Sequence, residues 1–341
     1  MTAPETMQLG KAIGSALHDA LAEDDRVFLM GEDIGALGGV FRVTDGLQAT
    51  YGPKRVIDSP LAESAIIGTA IGMAYRGYRP VVEIQFDGFI YPGFDQIVAQ
   101  VAKLHYRTKG RVRVPMVIRV PYGGDIGSVE HHSESPESYF AHTAGLRVVT
   151  AATPQEAYST LRAAIASDDP VLFFEPKSRY WSKGEVDRTI VRDLDTAEVL
   201  VRGRDVTLAT YGPVVKTALD AAVAASDEGI EIEVIDLRSI SPLDVDTVVA
   251  SVERTGRLVV AHEAPKEASV SSELVSSVVE RAFASLQAAP ERVTAYDTPY
   301  PPSAFEEAYL PSVDRILDAV DRTLGRRSSR SADLALQGGT R

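Results

Sequence analysis

Two successive alternations of uncharged runs and amphipathic segments constrain the fold of this 341-residue chain more than any other feature. In the first half, the runs at 26–30, 115–120 and 171–175 are short and almost free of charge. The segment 154–167 carries apolar residues at helical spacing. Strands that are buried on both faces of a parallel sheet have such continuous apolar runs. The alternation therefore predicts βαβ units and an α/β fold with a mostly parallel sheet.

The second alternation begins after a stretch of fading periodicity and rising charge at 181–204. Strands and helices are again predicted to alternate from residue 206 onward. We therefore predict two α/β domains, at 1–180 and 205–325, with a linker at 181–204 between them. The remaining segment 326–341 is rich in Ser, Arg and Gly and is predicted to be a disordered tail.

Two local predictions concern segments of the first domain. Thr6 is predicted to cap the N-terminus of a helix that includes Met7, because a threonine oxygen can accept from free backbone N–H groups there. The segment 92–107 has Phe94 and Ile97 on one helical face and is predicted to be a single helix.

Charge and composition exclude several functional classes. The formal net charge of −13 argues against binding nucleic acid or an anionic membrane. The chain has no cysteine, which excludes disulfides, thiolate catalysis and Cys-ligated metals. There is no signal-peptide pattern and no apolar run near the ~20 residues of a membrane span, so we expect a cytoplasmic protein. Neither the P-loop pattern nor the GxGxxG pattern occurs.

A carboxylate stands at the start of the least charged helical segment. Glu63 precedes the run 64–75, in which small residues alternate with isoleucine and methionine. An acid in a first helical turn commonly complements the helix dipole. A partly buried acid at such a position can instead take part in catalysis. The residues alone leave both interpretations open.

Four blocks of sequence carry a resemblance to a known family. They read DSPLAESAIIGTAIGMAYRG, PVVEIQFDGFIYPGFDQIV, HHSESPESYFAHTAGLRVV and DPVLFFEPK. They resemble the beta subunit of the thiamin-diphosphate-dependent decarboxylating component of 2-oxo acid dehydrogenase complexes, and are most similar to its branched-chain (2-oxoisovalerate) branch. The resemblance covers nearly the whole chain. It implies a transketolase-like pyrimidine-binding domain followed by a transketolase C-terminal domain.

The resemblance also implies partners. The family's GDG motif for the diphosphate and Mg²⁺ is missing here, so an alpha subunit is expected to hold the metal in an α2β2 heterotetramer that shares thiamin diphosphate. A lipoyl-bearing transacylase component is expected to accept the acyl group, and a small 2-oxo acid is the expected substrate. Alternatives are a pyruvate or acetoin dehydrogenase beta subunit, or a subunit that only scaffolds a complex without catalysis.

Residue roles follow from the matching positions. Glu63 is expected to hydrogen-bond N1′ of the aminopyrimidine, and Phe89 to pack against the same ring. Leu61 and Tyr91 are further pocket candidates. His132 is expected to deliver a proton when the acyl group passes to the lipoyl dithiolane. Core packing is the competing interpretation for Phe89, and core or interface packing for Leu61 and Tyr91. For His132 the competing interpretation is a solvated loop position.

The resemblance further suggests a structural monovalent cation, such as K⁺, held by backbone oxygens, which hard cations prefer. The expected ligands come from two segments of the first domain: Val114, Met116, Val117, Ala164, Ser167 and Asp169.

Overall fold

The computed structural model describes residues 4–326. The predicted disordered tail beyond Arg326 lies outside these residues. The chain divides into two compact units. The first extends to Asp195 and includes Ser239–Pro242, and the second contains Thr196–Arg238 and the chain from Leu243 onward. Among the described residues, no helix is both long enough and apolar enough to cross a bilayer.

Fourteen strands are assigned within residues 4–326. They are β1 (Glu5–Gln8), β2 (Val27–Gly31), β3 (Val56–Asp58), β4 (Arg79–Glu83), β5 (Val117–Tyr122), β6 (Arg147–Thr150), β7 (Val171–Pro176), β8 (Lys183–Val186), β9 (Glu198–Val201), β10 (Val206–Thr210), β11 (Ile232–Asp236), β12 (Ser239–Ser241), β13 (Leu258–Pro265) and β14 (Glu291–Ala295).

Eleven α-helices are assigned in the same part of the chain. They are α1 (Leu9–Glu23), α2 (Leu47–Tyr51), α3 (Glu63–Tyr75), α4 (Leu104–Arg107), α5 (Glu137–Ala141), α6 (Pro154–Ala166), α7 (Val214–Asp227), α8 (Val245–Thr255), α9 (Val270–Ala282), α10 (Glu306–Tyr309) and α11 (Val313–Thr323).

The first unit is built on a seven-stranded sheet in the order β12-β6-β7-β5-β4-β2-β3. All neighbours are parallel except β12, which pairs antiparallel with β6. Strands β2, β5 and β7 are buried along their whole length. This explains why their sequences carry almost no charge, because helices cover both faces of such a sheet. The predicted α/β class is confirmed.

The second unit has a five-stranded sheet in the order β14-β13-β10-β11-β9. Its strands are parallel except β9, which runs antiparallel to β11 at the edge. Helices α7 and α11 share one apolar cluster with this sheet. The segment predicted as a linker, 181–204, contains β8 in the first unit and β9 in the second.

Two local predictions were wrong. Thr6 does not cap a helix, because it lies in β1, where it pairs with Glu185 of β8. Helix α1 begins only at Leu9, and its N-terminus has no side-chain cap. A short strand before an amphipathic helix gives no period-2 signal of its own, so residues such as Met7 fit the helical spacing of the segment that follows.

The segment predicted as one helix at 92–107 is also more broken than expected. It consists of a 3₁₀ turn at Asp87–Gly93, a π-helical turn at Gln96–Val101 and the single turn of α4. The Ala102 N–H bonds the Ile97 carbonyl at 3.0 Å, which is a five-residue step. Such π turns are rare and mostly occupy a single turn inside a longer helix, so apolar spacing over a few residues does not reveal them.

Candidate active site at the carboxyl edge of the first sheet

The predicted catalytic residues Glu63 and His132 and the predicted cofactor-binding residue Phe89 all follow the carboxyl ends of strands in the first sheet. Glu63 follows β3, Phe89 follows β4 and His132 follows β5. The strand order reverses between β2 and β4, since the chain passes from β2 outward to β3 and then returns to the other side of β2. Ligands of open α/β sheets bind in the crevice at such a reversal.

Glu63 is the first residue of α3 and is buried, with 8% of its surface exposed. The 3₁₀ turn Asp87–Gly93 packs closely on this helix. A Cβ placed on Gly93 would lie 2.5 Å from Cδ1 of Ile67 and 3.6 Å from the Glu63 carbonyl oxygen. The approach of the turn therefore removes Glu63 from water. Within residues 4–326 its carboxylate has no salt-bridge partner.

A second carboxylate, Glu32, stands directly after β2 and was not predicted as a site residue. It is as buried as Glu63, and its Oε1 has no hydrogen-bond partner. Burial and the neighbouring charge of Glu63 raise the pKa of Glu32, while a hydrogen bond from the Ala62 backbone N–H opposes the shift. The residues themselves signal it only as an acid in the turn after a buried strand, within the segment GEDIGALGGVFRVT that also carries the family resemblance. The two acids form a pair whose charges repel.

Aromatic rings line the loops after β4 and β5. The Phe89 ring lies 5.1 Å from the His132 ring in an edge-to-face arrangement, measured between centroids. Phe86 approaches His132 more closely, at 4.2 Å, and His131 lies 4.3 Å from His132. Ring pairs at these spacings and angles are favourable. The structure therefore brings Phe89 and His132 together, with Phe86 as an unpredicted third member.

His132 is half-buried at the end of the 3₁₀ turn Glu130–His132, and its Nδ1 is buried without a hydrogen-bond partner. Burial lowers the pKa of His132, and the nearby His131 and Lys177 lower it further. The imidazole is therefore neutral near pH 7. It is neither a solvated loop residue nor a fully packed core residue.

A buried ion pair holds this loop in place. Lys177 and Asp87 are both fully buried, and the ammonium group bonds one oxygen of Asp87. The other oxygen of Asp87 accepts from the Glu134 backbone N–H at 2.8 Å. Burial raises the pKa of Asp87, and the Lys177 charge opposes this shift. Because Glu134 lies two residues after His132, the pair fixes the position of the imidazole relative to the turn after β4.

A second buried network lies among the strands below. Arg119 of β5 donates to Glu175 of β7 at 2.6 and 3.0 Å and to Glu83 of β4 at 2.7 Å. The Tyr180 hydroxyl donates to Glu175 at 2.6 Å. Charge-assisted bonds of this geometry satisfy the buried carboxylates and hold three adjacent strands in register.

Leu61 and Tyr91 lie at the rim of the site, not inside it. Leu61 is 80% exposed and Tyr91 is 39% exposed. The Tyr91 hydroxyl donates to Glu134 Oε2 at 3.4 Å, and its ring meets Tyr139 edge-to-face at 6.0 Å. Neither side chain is a core residue of this chain.

The backbone oxygens predicted to bind a monovalent cation lie at the opposite, amino edge of the sheet. The carbonyl of Val114 accepts from the Met116 N–H, and that of Met116 accepts from the Val171 N–H. The Ser167 carbonyl accepts from the Arg79 guanidinium at 2.8 Å. Val117 lies within β5 and Ala164 lies in the last turn of α6. At Asp169 the side-chain Oδ2, not the backbone carbonyl, accepts from Arg147. The cation site stays a prediction that these contacts disfavour.

Comparisons with known proteins agree with the two units. Residues 5–182 match the transketolase pyrimidine-binding domain, and residues 195–316 match the transketolase C-terminal domain. Among solved structures, a split gene transketolase described as an inactive beta4 tetramer superposes with a TM-score of 0.78. The match covers 94% of this chain and 98% of that chain at 21% identity, and so indicates a common fold.

Several curated proteins are similar over nearly their whole length. The pyruvate dehydrogenase E1 component subunit beta of Leifsonia xyli is 55% identical, with 94% of this chain and 95% of the relative covered. The 3-methyl-2-oxobutanoate dehydrogenase subunit beta of Mycobacterium tuberculosis is 50% identical, with 94% and 92% covered. The 2-oxoisovalerate dehydrogenase subunit beta of Pseudomonas aeruginosa is 44% identical, with 94% and 95% covered.

Proposed function

This chain belongs to the family of 2-oxo acid dehydrogenase beta subunits, and from that membership we propose that it binds the aminopyrimidine ring of thiamin diphosphate for the oxidative decarboxylation of a 2-oxo acid. The observation that carries the proposal is the buried Glu63 beside a second acid, Glu32, at the reversal of the strand order.

The side chains suit a flat ring with both donor and acceptor groups. The carboxylates can bond ring nitrogens and an amino group, and Oε1 of Glu32 lacks a hydrogen-bond partner in the part of the chain that the structure describes. The Phe89 ring offers a face or an edge for stacking. When bound, thiamin diphosphate supplies the electron sink that allows a 2-oxo acid to lose CO₂. In the proposal, Glu63 holds the proton at N1′ of the pyrimidine.

His132 is proposed to deliver the proton during transfer of the acyl group to a lipoyl sulfur. Its lowered pKa makes the imidazolium the stronger acid once the ring has taken up a proton. The Asp87–Lys177 pair supports the proposal, because it fixes the loop that carries the imidazole.

We further propose an alpha subunit as the partner in an α2β2 heterotetramer, with the diphosphate and Mg²⁺ held on its side. The relatives are named as beta subunits, which implies such a partner. The exposed apolar rim at Leu61, Tyr91 and Tyr139 offers a surface that a partner could cover. A lipoyl-bearing transacylase is the proposed acyl acceptor.

The substrate class has two candidates. The sequence blocks favour branched-chain 2-oxo acids, and two relatives at 44% and 50% identity are named accordingly. The pyruvate alternative is favoured by the relative at 55% identity. Initial rates of the assembled enzyme with pyruvate, 2-oxobutanoate and 3-methyl-2-oxobutanoate distinguish the two. A higher kcat/KM for the branched substrate supports the first, and a higher value for pyruvate supports the second.

The central test is a Glu63→Gln variant assembled with its alpha partner. Glutamine keeps the size but cannot share a proton with the ring, so we expect CO₂ release to fall at least about 100-fold, as for loss of general acid–base catalysis. Glu253→Gln, an exposed position on α8, is the matched control and should keep full activity. Activity of the Glu63 variant close to that of the control would contradict the proposal, and a scaffold role would then gain support.

A further inference from the structure

An arginine guanidinium lies on the end of a helix at the amino edge of the first sheet. Arg79 is the first residue of β4. Its Nη1 donates to the carbonyl oxygens of Ile165, Ala166 and Ser167 at 3.1, 3.3 and 2.8 Å. Its Nη2 donates to Asp168 Oδ1 at 2.8 Å. One side chain thus donates hydrogen bonds to four consecutive residues at the end of α6.

A positive charge is favourable at the C-terminal end of α6. The last carbonyls of a helix have no intrahelical donors and lie at the negative end of the helix dipole. Helix α6 has no basic residue in its own last turn. The Arg79 side chain is only 16% exposed, so water does not replace it. A guanidinium suits the site because it carries five N–H donors and stays charged at all physiological pH values.

The same carbonyls belong to the region where a monovalent metal ion was predicted. Ser167 is one of the predicted ligands, and its oxygen already accepts from the guanidinium at 2.8 Å. A metal ion on that oxygen would lie beside a fixed like charge, which disfavours binding. The predicted ligands Val114 and Met116 direct their carbonyls to backbone N–H groups.

The charged side chains around Arg79 also disfavour a metal cation. A cavity of about 350 Å³ borders Arg79, and three further arginines line it together with Asp168: Arg26, Arg111 and Arg113. Arg113 donates to the second oxygen of Asp168 at 3.2 Å. The single acid in the lining is therefore shared by two guanidinium groups. Such a lining attracts anions and repels a metal cation.

We propose that the Arg79 guanidinium is the resident cation of this helix end and takes the place of a monovalent metal ion, so the fold of this chain does not depend on K⁺. The cation is thus a side chain of the protein itself. Arg79 begins β4 and lies 86 residues before Ile165, the first residue whose carbonyl it bonds.

The first test uses the full wild-type chain and does not involve catalysis. Its thermal unfolding is followed as choline chloride is replaced by KCl, up to about 150 mM at constant ionic strength so that general screening stays fixed. An unchanged Tm supports the proposal. A saturable rise of several degrees with K⁺, absent with choline, would overturn it, because a ligand that binds only the folded state must raise Tm.

The second test compares matched variants in the same assay. Arg79→Ala removes the charge and the carbonyl contacts, whereas Arg113→Ala removes a neighbouring charge that, among residues 4–326, bonds Asp168 alone. We expect a clearly larger loss of Tm for Arg79→Ala, with Arg79→Lys between that variant and wild type. Equal losses for the two alanine variants would overturn the proposal. If Arg79→Ala does not fold, the Tm of Arg79→Lys relative to Arg113→Ala and the KCl titration of wild type still test the proposal.

Discussion

Buried ionisable side chains determine how each unit responds to protons. In the first unit, Glu32 and Glu63 lie at the carboxyl edge of the sheet, and burial, followed by repulsion from Glu63, raises the pKa of Glu32. In the second unit, His262 of β13 is fully buried. Its Nε2 lies 2.8 Å from the Ser271 hydroxyl, and its ring stacks on Tyr211. Burial lowers the pKa of His262 to about 3.

The His262 environment predicts a stability that falls with acid. The unfolded chain binds a proton at this ring near pH 6.5, whereas the folded chain does so only near pH 3, so folding is opposed as the pH drops below about 6.5. Between pH 7 and pH 5 this group should cost about 2 kcal/mol. In urea unfolding, the stability difference between wild type and His262→Gln should therefore shrink by about that amount.

A control separates this effect from general acid sensitivity. Val223→Ala, at an exposed position of α7, changes no ionisable group, so its stability difference from wild type should stay constant over the same pH range. A constant difference for His262→Gln as well would show that its ring is accessible to protons in the folded chain.

The sequence allowed some residues of the first unit to be assigned a role, and it missed others for a physical reason. Glu63, Phe89 and His132 lie within contiguous blocks, so each could be assigned before its surroundings were known. Glu32 stands in a short turn without periodicity, and its importance comes from a neighbour 31 positions away. The Arg79 contacts join residues 86 to 88 positions apart, which no local pattern encodes.

At the scale of secondary-structure elements, close backbone approaches position the site. Helix α3, the turn Asp87–Gly93 and the turn Glu130–His132 pack on one another in that order. A Cβ placed on Gly88 would lie 2.4 Å from the His131 carbonyl oxygen. Only glycine allows the two turns to lie this close, and this contact sets the position of the His132 ring.

Two glycine substitutions should have opposite effects on the stability of the first unit. Gly88→Ala forces the backbone at His131 to move, so we expect a loss of about 1–3 kcal/mol in stability, as for other overpacked contacts. Activity of the assembled enzyme should fall with it, since His132 moves too. Gly72→Ala, on an exposed and unobstructed position of α3, should instead add up to about 1 kcal/mol.

Chemical denaturation of both variants, with activity measured after assembly, checks this pair. If Gly88→Ala were as stable and as active as wild type, the contact between the two turns would not constrain the imidazole.

Elements were predictable where the pattern was long and continuous. The buried strands of both sheets and helices such as α6, which begins with a Thr153–Glu156 capping box, follow directly from apolar runs and spacing. Strand β1 and the π-helical turn at Gln96–Val101 could not be predicted in this way, because they cover only 4 and 6 residues. In both cases tertiary pairing decides the local structure.

At the scale of the whole molecule, charge and incomplete enclosure limit what one chain can bind. The net charge of −13 repels a diphosphate. Within residues 4–326, no group of three or more His, Asp or Glu side chains is placed to hold a metal ion. The apolar rim at Leu61 and Tyr91 is exposed. Around Glu63 the described residues thus offer groups for an aromatic ring, whereas the arginine-lined cavity that attracts anions lies at the opposite, amino edge of the sheet.

We therefore predict that the isolated chain binds thiamin diphosphate at least about 100-fold more weakly than the chain assembled with its alpha partner, even with Mg²⁺ present, because phosphate contacts worth roughly 3 kcal/mol or more are missing. Isothermal titration of both forms measures the ratio. Equal affinity would mean that this polypeptide holds the phosphates by itself, and the proposed sharing of the cofactor would be wrong.

The late strand β12 has a consequence for attempts to divide the protein. Ser239–Pro242 belongs to the first unit, although the residues on both sides belong to the second. No single cut in the gene can therefore yield two intact halves. A fragment that stops at Asp195 would leave Val148 and Val149 of β6 without the neighbours that cover them, and an uncovered sheet edge recruits other chains. Expression of either half would need a grafted strand or a deliberate deletion.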